Sequence, residues 1–300
     1  MTTVWLYTVV VLIWGSSWIM VKDQIGVVPA EISVAYRVGI AAAIMFGWAL
    51  FKKLPLRFSL KNHFFMALQG GLIFSTNFFL FYLAAAHLTT GLIAIIFSTA
   101  SAMTILLNAL IYLRKPSMSI FLGSVLGVAG IGIIFHYQLA ESSFQSGAGL
   151  GLLLSLAGTF CFSLGSIVST RNRMAGLPIS GNMGWSMLYG VVLLCIFAIF
   201  RDKHFTFDFS LSYIYSLAYL AIVASVIAFA AYFALLSRIS TEQAAYTTVL
   251  FPVVALTLST FFEGYHWTIS TVLGVMLTIA GNTLVLRLPL RPNHFRRDHV

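Results

Sequence analysis

The sequence predicts an all-α integral membrane fold: ten transmembrane helices, arranged as two inverted five-helix repeats around a central cavity. Three observations predict it. Apolar residues make up 60% of the 300-residue chain and charged residues only 8%, against roughly 45–50% and about 25% in soluble globular proteins. Ten apolar runs recur from end to end, each near the ~20 residues that a spanning helix needs. The two halves also resemble each other, at a shift of 149 to 151 residues.

The runs cover residues 4–21, 31–51, 64–86, 91–113, 118–136, 147–170, 180–200, 213–236, 244–262 and 268–286. Each is expected to be helical, because lipid offers no partner for an open backbone. No Lys or Arg precedes the first run, no small-residue cleavage site follows it, and Trp14 and Trp18 lie within it. It therefore reads as a span, not as a cleavable signal peptide. Pro29 and Pro178 open the second and seventh runs. In the ninth, Pro252 removes a backbone bond and frees the carbonyl of residue 248. Connections are short, the longest polar stretches being 52–63, 137–146 and 201–212, and no separate soluble domain fits. Cys161 and Cys195 both lie inside apolar runs, so neither a disulfide framework nor a metal site is indicated, and no cofactor is expected.

Orientation follows from the basic residues. With the N-terminus in the cytoplasm, the inner segments carry 13 of the 17 Lys and Arg residues; the outer segments carry 3 (Lys22, Arg201 and Lys203), and Arg37 lies within a span. The acidic residues Asp23, Glu31, Glu141, Asp202, Asp208 and Glu263 lean outward. Both termini are thus expected in the cytoplasm. The net charge of +9 reflects topology, not a nucleic-acid partner.

Residues 122–130 (LGSVLGVAG) align with 273–281 (LGVMLTIAG), and the same shift pairs Thr90 with Thr241, Ala94 with Ala245, Leu107 with Leu258 and Ser119 with Ser270. Small residues recurring in the fifth helix of each half allow close backbone approach. Five spans per copy is odd, so the second copy must cross in the opposite sense. Inverted duplicates of this kind are a recurrent plan of secondary transporters, with substrate bound near the midplane and access alternating by rocking. The expected units are 1–140, 147–287 and a basic cytoplasmic tail, 288–300.

At the level of motifs the chain resembles the drug/metabolite transporter superfamily, specifically its EamA-type proteins. Trp14-Gly15-Ser16-Ser17 resembles the family's first-span pattern, and Pro29 with Arg37 its second-span signature. Thr89-Thr90-Gly91 and Ser240-Thr241-Glu242-Gln243-Ala244-Ala245 resemble the turns entering spans four and nine, while Pro252 and both Leu-Gly…Ala-Gly segments fit as well. The chain departs from the family where Leu113-Arg114 and Gly264-Tyr265 stand in place of Gly-Glu, with a Glu displaced to 263. The resemblance implies export of small metabolites, commonly amino acids or related compounds, across a bacterial-type inner membrane.

Polar groups inside hydrocarbon are expensive and tend to face a cavity or another helix. Candidate substrate-binding residues are Trp14, Ser16, Ser17, Asn77, Ser98, Ser101, Phe162, Ser166, Trp185, Tyr232, Tyr246 and Thr247, with Arg37 and Pro252 as gate or hinge. Each has a plainer reading. A Ser or Thr can bond back to its own helix, and an aromatic ring can simply pack. Pro252 can kink its helix with no further role, and Arg37 can snorkel outward.

No Asp or Glu lies deep in any span, which favours facilitated, gradient-driven export over proton antiport. It also disfavours the runner-up, efflux of toxic or cationic compounds, for which a deep acid is the natural partner. No catalytic motif and no filter-like segment supports an enzyme or a channel. A membrane sensor or scaffold is the remaining rival. The expected partners are a small-molecule substrate and the bilayer, with the chain a monomer or a homodimer.

Overall fold

The computed structural model describes residues 2–111, 113, 118–141, 147–236, 238 and 247–286, and every regular element among them is helical. In chain order they are α1 (Thr3–Lys22), α2 (Ala30–Phe51), α3 (Leu60–Ala84), α4 (Thr90–Ile111), α5 (Met118–Glu141), α6 (Ala148–Met174), α7 (Ile179–Phe200), α8 (Leu211–Leu235), α9 (Thr247–Phe262) and α10 (Ile269–Leu286). Among the described residues, seven helices (α1–α4 and α6–α8) are long and apolar enough to cross a membrane. The other three hold shorter apolar stretches, Phe121–Ile134, Leu250–Phe262 and Ile269–Gly281. Tyr246, the basic pair Arg114-Lys115, the turn 240–245 and the tail 288–300 lie outside the described residues.

Local features recur at the shift seen in the sequence. Pro29 and Pro178 precede α2 and α7, each 22 residues long, and the proline ring presets the φ with which a chain enters a helix. Both helices end alike. Lys53 and Asp202 adopt positive φ (52° and 49°), while Leu54 N–H donates to the Ala49 carbonyl at 2.8 Å and Lys203 N–H to that of Ala198 at 2.9 Å. This six-to-one bond satisfies a carbonyl that the helix end would leave open. The next helices start alike too: Ser59 Oγ accepts from Asn62 N–H in α3 (3.3 Å) and Ser210 Oγ from Tyr213 N–H in α8 (3.4 Å). Both then widen into a π-helical segment, Gly70–Asn77 in α3 and Tyr219–Ile227 in α8.

Packing repeats the same correspondence. The pairs α2–α7, α4–α9 and α5–α10 each join equivalent helices; α1 packs on α8 and α9, as α6 packs on α3 and α4. The α2–α7 pair runs antiparallel, since Glu31 near the start of α2 meets Arg201 just past the end of α7. Between α5 and α10 the small residues aligned in the sequence let backbones touch. A Cβ on Gly130 would lie 2.5 Å from the Gly274 carbonyl oxygen, and one on Gly281 would lie 2.4 Å from that of Gly123. In lipid, where apolar burial does not drive helix association, such approach recovers dispersion contacts.

Candidate functional site

A cavity of ≈ 60 Å³ lies where α1, α2, α3, α4, α6, α8 and α9 converge, so helices of both halves wall it. From α1 it takes Trp14, Ser17, Trp18 and Val21; from α2, Arg37; from α3, Asn77, Phe78, Phe81 and Tyr82; and from the rest, Phe97, Phe162, Phe229 and Phe251. Residues 14, 17, 18 and 21 follow the i, i+3, i+4, i+7 spacing of one helix face, so α1 contributes a continuous stripe.

Arg37 is the charge on this wall. It is 5% exposed, so it turns inward and does not snorkel. Its Nε donates to Ser225 Oγ at 3.0 Å, and its guanidinium carbon lies 4.0 Å from the Phe78 ring centroid. No carboxylate pairs with it among the described residues, where the ion pair is Arg201–Glu31. Ser225 lies inside the π-helical segment of α8, and Phe78 directly follows that of α3. Such widened turns re-aim side chains and cluster at functional sites. Here they bring a hydroxyl and a ring face to one cation. Asn77 ends the α3 segment and donates Nδ2–H to the Gly158 carbonyl on α6 at 2.8 Å. The Tyr82 hydroxyl is buried on the same wall, beside the Arg37 guanidinium.

Apart from Ser17 and Val21, the remainder of the wall is aromatic. Trp18 meets Phe81 edge-on (5.1 Å between centroids), Phe97 (5.8 Å) and, stacked, Phe251 (6.3 Å). Phe97 meets Phe162 at 4.7 Å. Trp14 leans on Phe229 (5.2 Å) and Tyr232 (5.0 Å), so Tyr232 backs the wall from behind.

Of the expected residues, the cavity gathers Trp14, Ser17, Arg37, Asn77 and Phe162. Ser16 points away, sharing a 2.6 Å hydrogen bond with the Tyr219 hydroxyl. Ser98, Ser101 and Ser166 donate to the carbonyls of Ile95, Ser98 and Phe162 in their own helices, the local bond that hydroxyls make in place of solvent. Trp185 is drawn elsewhere, its Nε1–H donating to the Leu56 carbonyl at 3.0 Å and its ring meeting His63 at 4.7 Å. Thr247 is buried at the start of α9, and Pro252 is buried within that helix beside Phe251. Trp18, Phe81, Tyr82, Phe97, Phe229 and Phe251 were not among the expected site residues. The i+4 step from Trp14 to Trp18 is the signal that points to the first of them.

Two polar clusters flank the cavity helices. The Glu263 carboxylate accepts from Thr90 N–H (3.0 Å), Thr90 Oγ1–H (2.8 Å) and Ser259 Oγ–H (2.6 Å), tying α9 to the first turn of α4. Gln69 Oε1 accepts from Asn172 Nδ2 (2.9 Å) and Asn182 Nδ2 (3.1 Å), joining α3, α6 and α7.

An apolar chain whose described elements are all helical, with an interior cavity walled by both halves, has the build of a membrane transporter. The sequence profile of the EamA-like transporter family matches residues 1–136 and again 149–287. The chain belongs to the EamA-like transporter family. It is similar to protein PagO of Salmonella typhimurium, 23% identical over 298 residues covering 96% of each chain. It is also similar to a probable amino-acid metabolite efflux pump of Escherichia coli (strain K12), 26% identical over 286 residues, covering 91% of this chain and 90% of that protein. The inner membrane transporter YedA of the same organism is 26% identical over 256 residues, covering 84% and 80%. A solved crystal structure shares the fold with a TM-score of 0.68 at 16% identity, covering 94% of this chain and 95% of that one.

Proposed function

We propose that this chain exports small carboxylate-bearing metabolites, amino acids or related compounds, by alternating access across a bacterial-type inner membrane. Its helices then form ten spans in two inverted five-helix repeats, residues 1–140 and 147–287, followed by a basic cytoplasmic tail at 288–300. Both termini are cytoplasmic. The antiparallel α2–α7 pair and the recurring caps and π-helical segments support the inversion. The names of the relatives, an amino-acid metabolite efflux pump and an inner membrane transporter, support the direction and the membrane.

One observation carries the substrate reading: Arg37 is buried in the cavity wall without a carboxylate partner among the described residues. An ionised side chain in a membrane interior is costly and marks a substrate path, and guanidinium matches carboxylate geometry with two parallel hydrogen bonds. Asn77 Oδ1 and the faces of Trp14 and Trp18 serve an ammonium, the rings by cation–π attraction. Among the described residues no acidic one lines the cavity, which speaks against cationic toxic compounds as cargo. Pro252, beside Phe251 of the wall, is the hinge of α9.

The test is efflux from proteoliposomes loaded with neutral amino acids, with and without a collapsed proton gradient. Export down the substrate gradient in both conditions supports facilitated transport. Strict dependence on the proton gradient replaces it with antiport, and absence of efflux while ligand binds makes the chain a sensor.

A further inference from the structure

The two ends of the α2–α7 pair are built alike but charged differently. At one end Glu31, second residue of α2, meets Arg201, the C-cap of α7, at 3.2 Å. At the other end the shift of 149 residues puts Ser180, second residue of α7, where Glu31 stands, and Lys52, the C-cap of α2, where Arg201 stands. The cation is kept and the acid is replaced by a hydroxyl. Glu31 also neutralises the positive pole of its helix, whereas α7 has no acid in its first turn and no side-chain cap. A helix start left so is a ready anion site.

Two observations point to a ligand there. Ser180 is 6% exposed, yet its Oγ has no hydrogen-bond partner. It also lines a cavity of ≈ 350 Å³ whose wall is otherwise apolar, including Met45, Trp48, Leu54, Pro178 and Val226. The Lys52 ammonium sits 5.1 Å from the Trp48 ring centroid, beside that wall, and no carboxylate pairs with it among the described residues. The site thus offers a hydroxyl, an uncapped helix start, a cation nearby and apolar depth.

We infer that the Lys52 end of the α2–α7 pair binds an anionic phospholipid, its phosphate at the α7 N-terminus near Lys52 and an acyl chain in the apolar cavity. The lipid phosphate does at this end what Glu31 does at the other. A free phosphate shares the headgroup chemistry but leaves the apolar wall unused. In the orientation proposed above the site faces the inner leaflet, whose anionic lipids attract basic juxtamembrane residues. The inference does not depend on the transport reading, because its test measures bound lipid and stability, not efflux.

The full chain is purified into phosphatidylcholine nanodiscs with and without phosphatidylglycerol, and separately titrated with soluble glycerol 3-phosphate. Phosphatidylglycerol is expected to raise the unfolding midpoint by a few degrees and to remain bound in native mass spectra. Glycerol 3-phosphate is expected to do neither. Lys52→Gln, at an exposed position, is expected to weaken phosphatidylglycerol about fivefold. Ser180→Glu supplies the missing acid internally and is expected to abolish the lipid-dependent gain. Equal stability of the parent in both lipids, a full gain from glycerol 3-phosphate, or an undiminished gain in Lys52→Gln overturns the proposal. If Ser180→Glu fails to fold, Ser180→Ala decides with Lys52→Gln, and unchanged lipid retention in both overturns it.

Discussion

Glu263, at the end of α9, holds the first turn of α4 through Thr90, accepting from both its backbone amide and its hydroxyl. The sequence set these residues apart, one as a displaced family Glu and the other as part of a turn. The fold makes them partners: a carboxylate at a helix N-terminus satisfies amides that the helix leaves open and complements its dipole. Glu263→Ala is expected to destabilise the protein by about 1–3 kcal/mol, the usual range for losing a hydrogen-bonded charge at a partly buried site. Glu263→Gln is expected to cost less. Thermal unfolding in detergent checks both.

Arg37→Gln separates a functional charge from a structural one. A buried cation without an acid partner among the described residues is costly to desolvate, so its removal is expected to leave stability unchanged or raise it. The unfolding midpoint is expected to hold or rise while efflux of carboxylate substrates falls at least about tenfold, as expected for loss of a charge-assisted contact worth 1.5–3 kcal/mol. Arg37→Lys is expected to recover part of the rate, since it restores charge without the bidentate geometry.

Trp18 and Trp185 are expected to behave oppositely. Trp18→Ala empties part of the aromatic wall and is expected to destabilise by about 3 kcal/mol or more while altering efflux. Trp185→Phe removes one hydrogen bond to the Leu56 carbonyl, about 1 kcal/mol, and is expected to leave efflux unchanged. Paired transport and unfolding measurements on the two variants check this.

The glycine contacts between α5 and α10 give a contrast within one helix pair. Gly274→Ala places a Cβ 2.5 Å from the Gly130 carbonyl oxygen, and forcing the helices apart is expected to cost about 1–3 kcal/mol. Gly127→Ala meets nothing within 4 Å and is expected to stabilise by up to ~1 kcal/mol through helix propensity. A melting-point comparison reads the difference.

The candidate site was only partly legible in the sequence. Ser16 and Ser17 are adjacent and chemically identical, yet one bonds Tyr219 across to α8 and the other lines the cavity. A rotation of about 100° per residue separates them. Which direction is inward depends on neighbours that the sequence does not order. Most of the aromatic wall beyond Trp14 and Phe162 is not legible in the sequence for a related reason: Phe81, Phe97 and Phe251 come from three helices and form one surface only when those helices meet.

The sequence by itself determined that the described residues are helical and where their helices lie to within a few residues, and it shows prolines and small residues recurring between its halves. Those facts follow from local rules: in lipid a backbone must satisfy its own hydrogen bonds, and Pro29, Pro178 and the paired glycines act on their immediate surroundings. Tertiary structure decided which side of each helix matters. It turned Arg37 inward, joined Glu263 to Thr90, and left Ser180 without a partner where its counterpart Glu31 has one. In a water-soluble protein the buried face announces itself by contrast with a polar one. Here lipid and core are both apolar, so that contrast is weak, and only the packed helices reveal which way each polar group points.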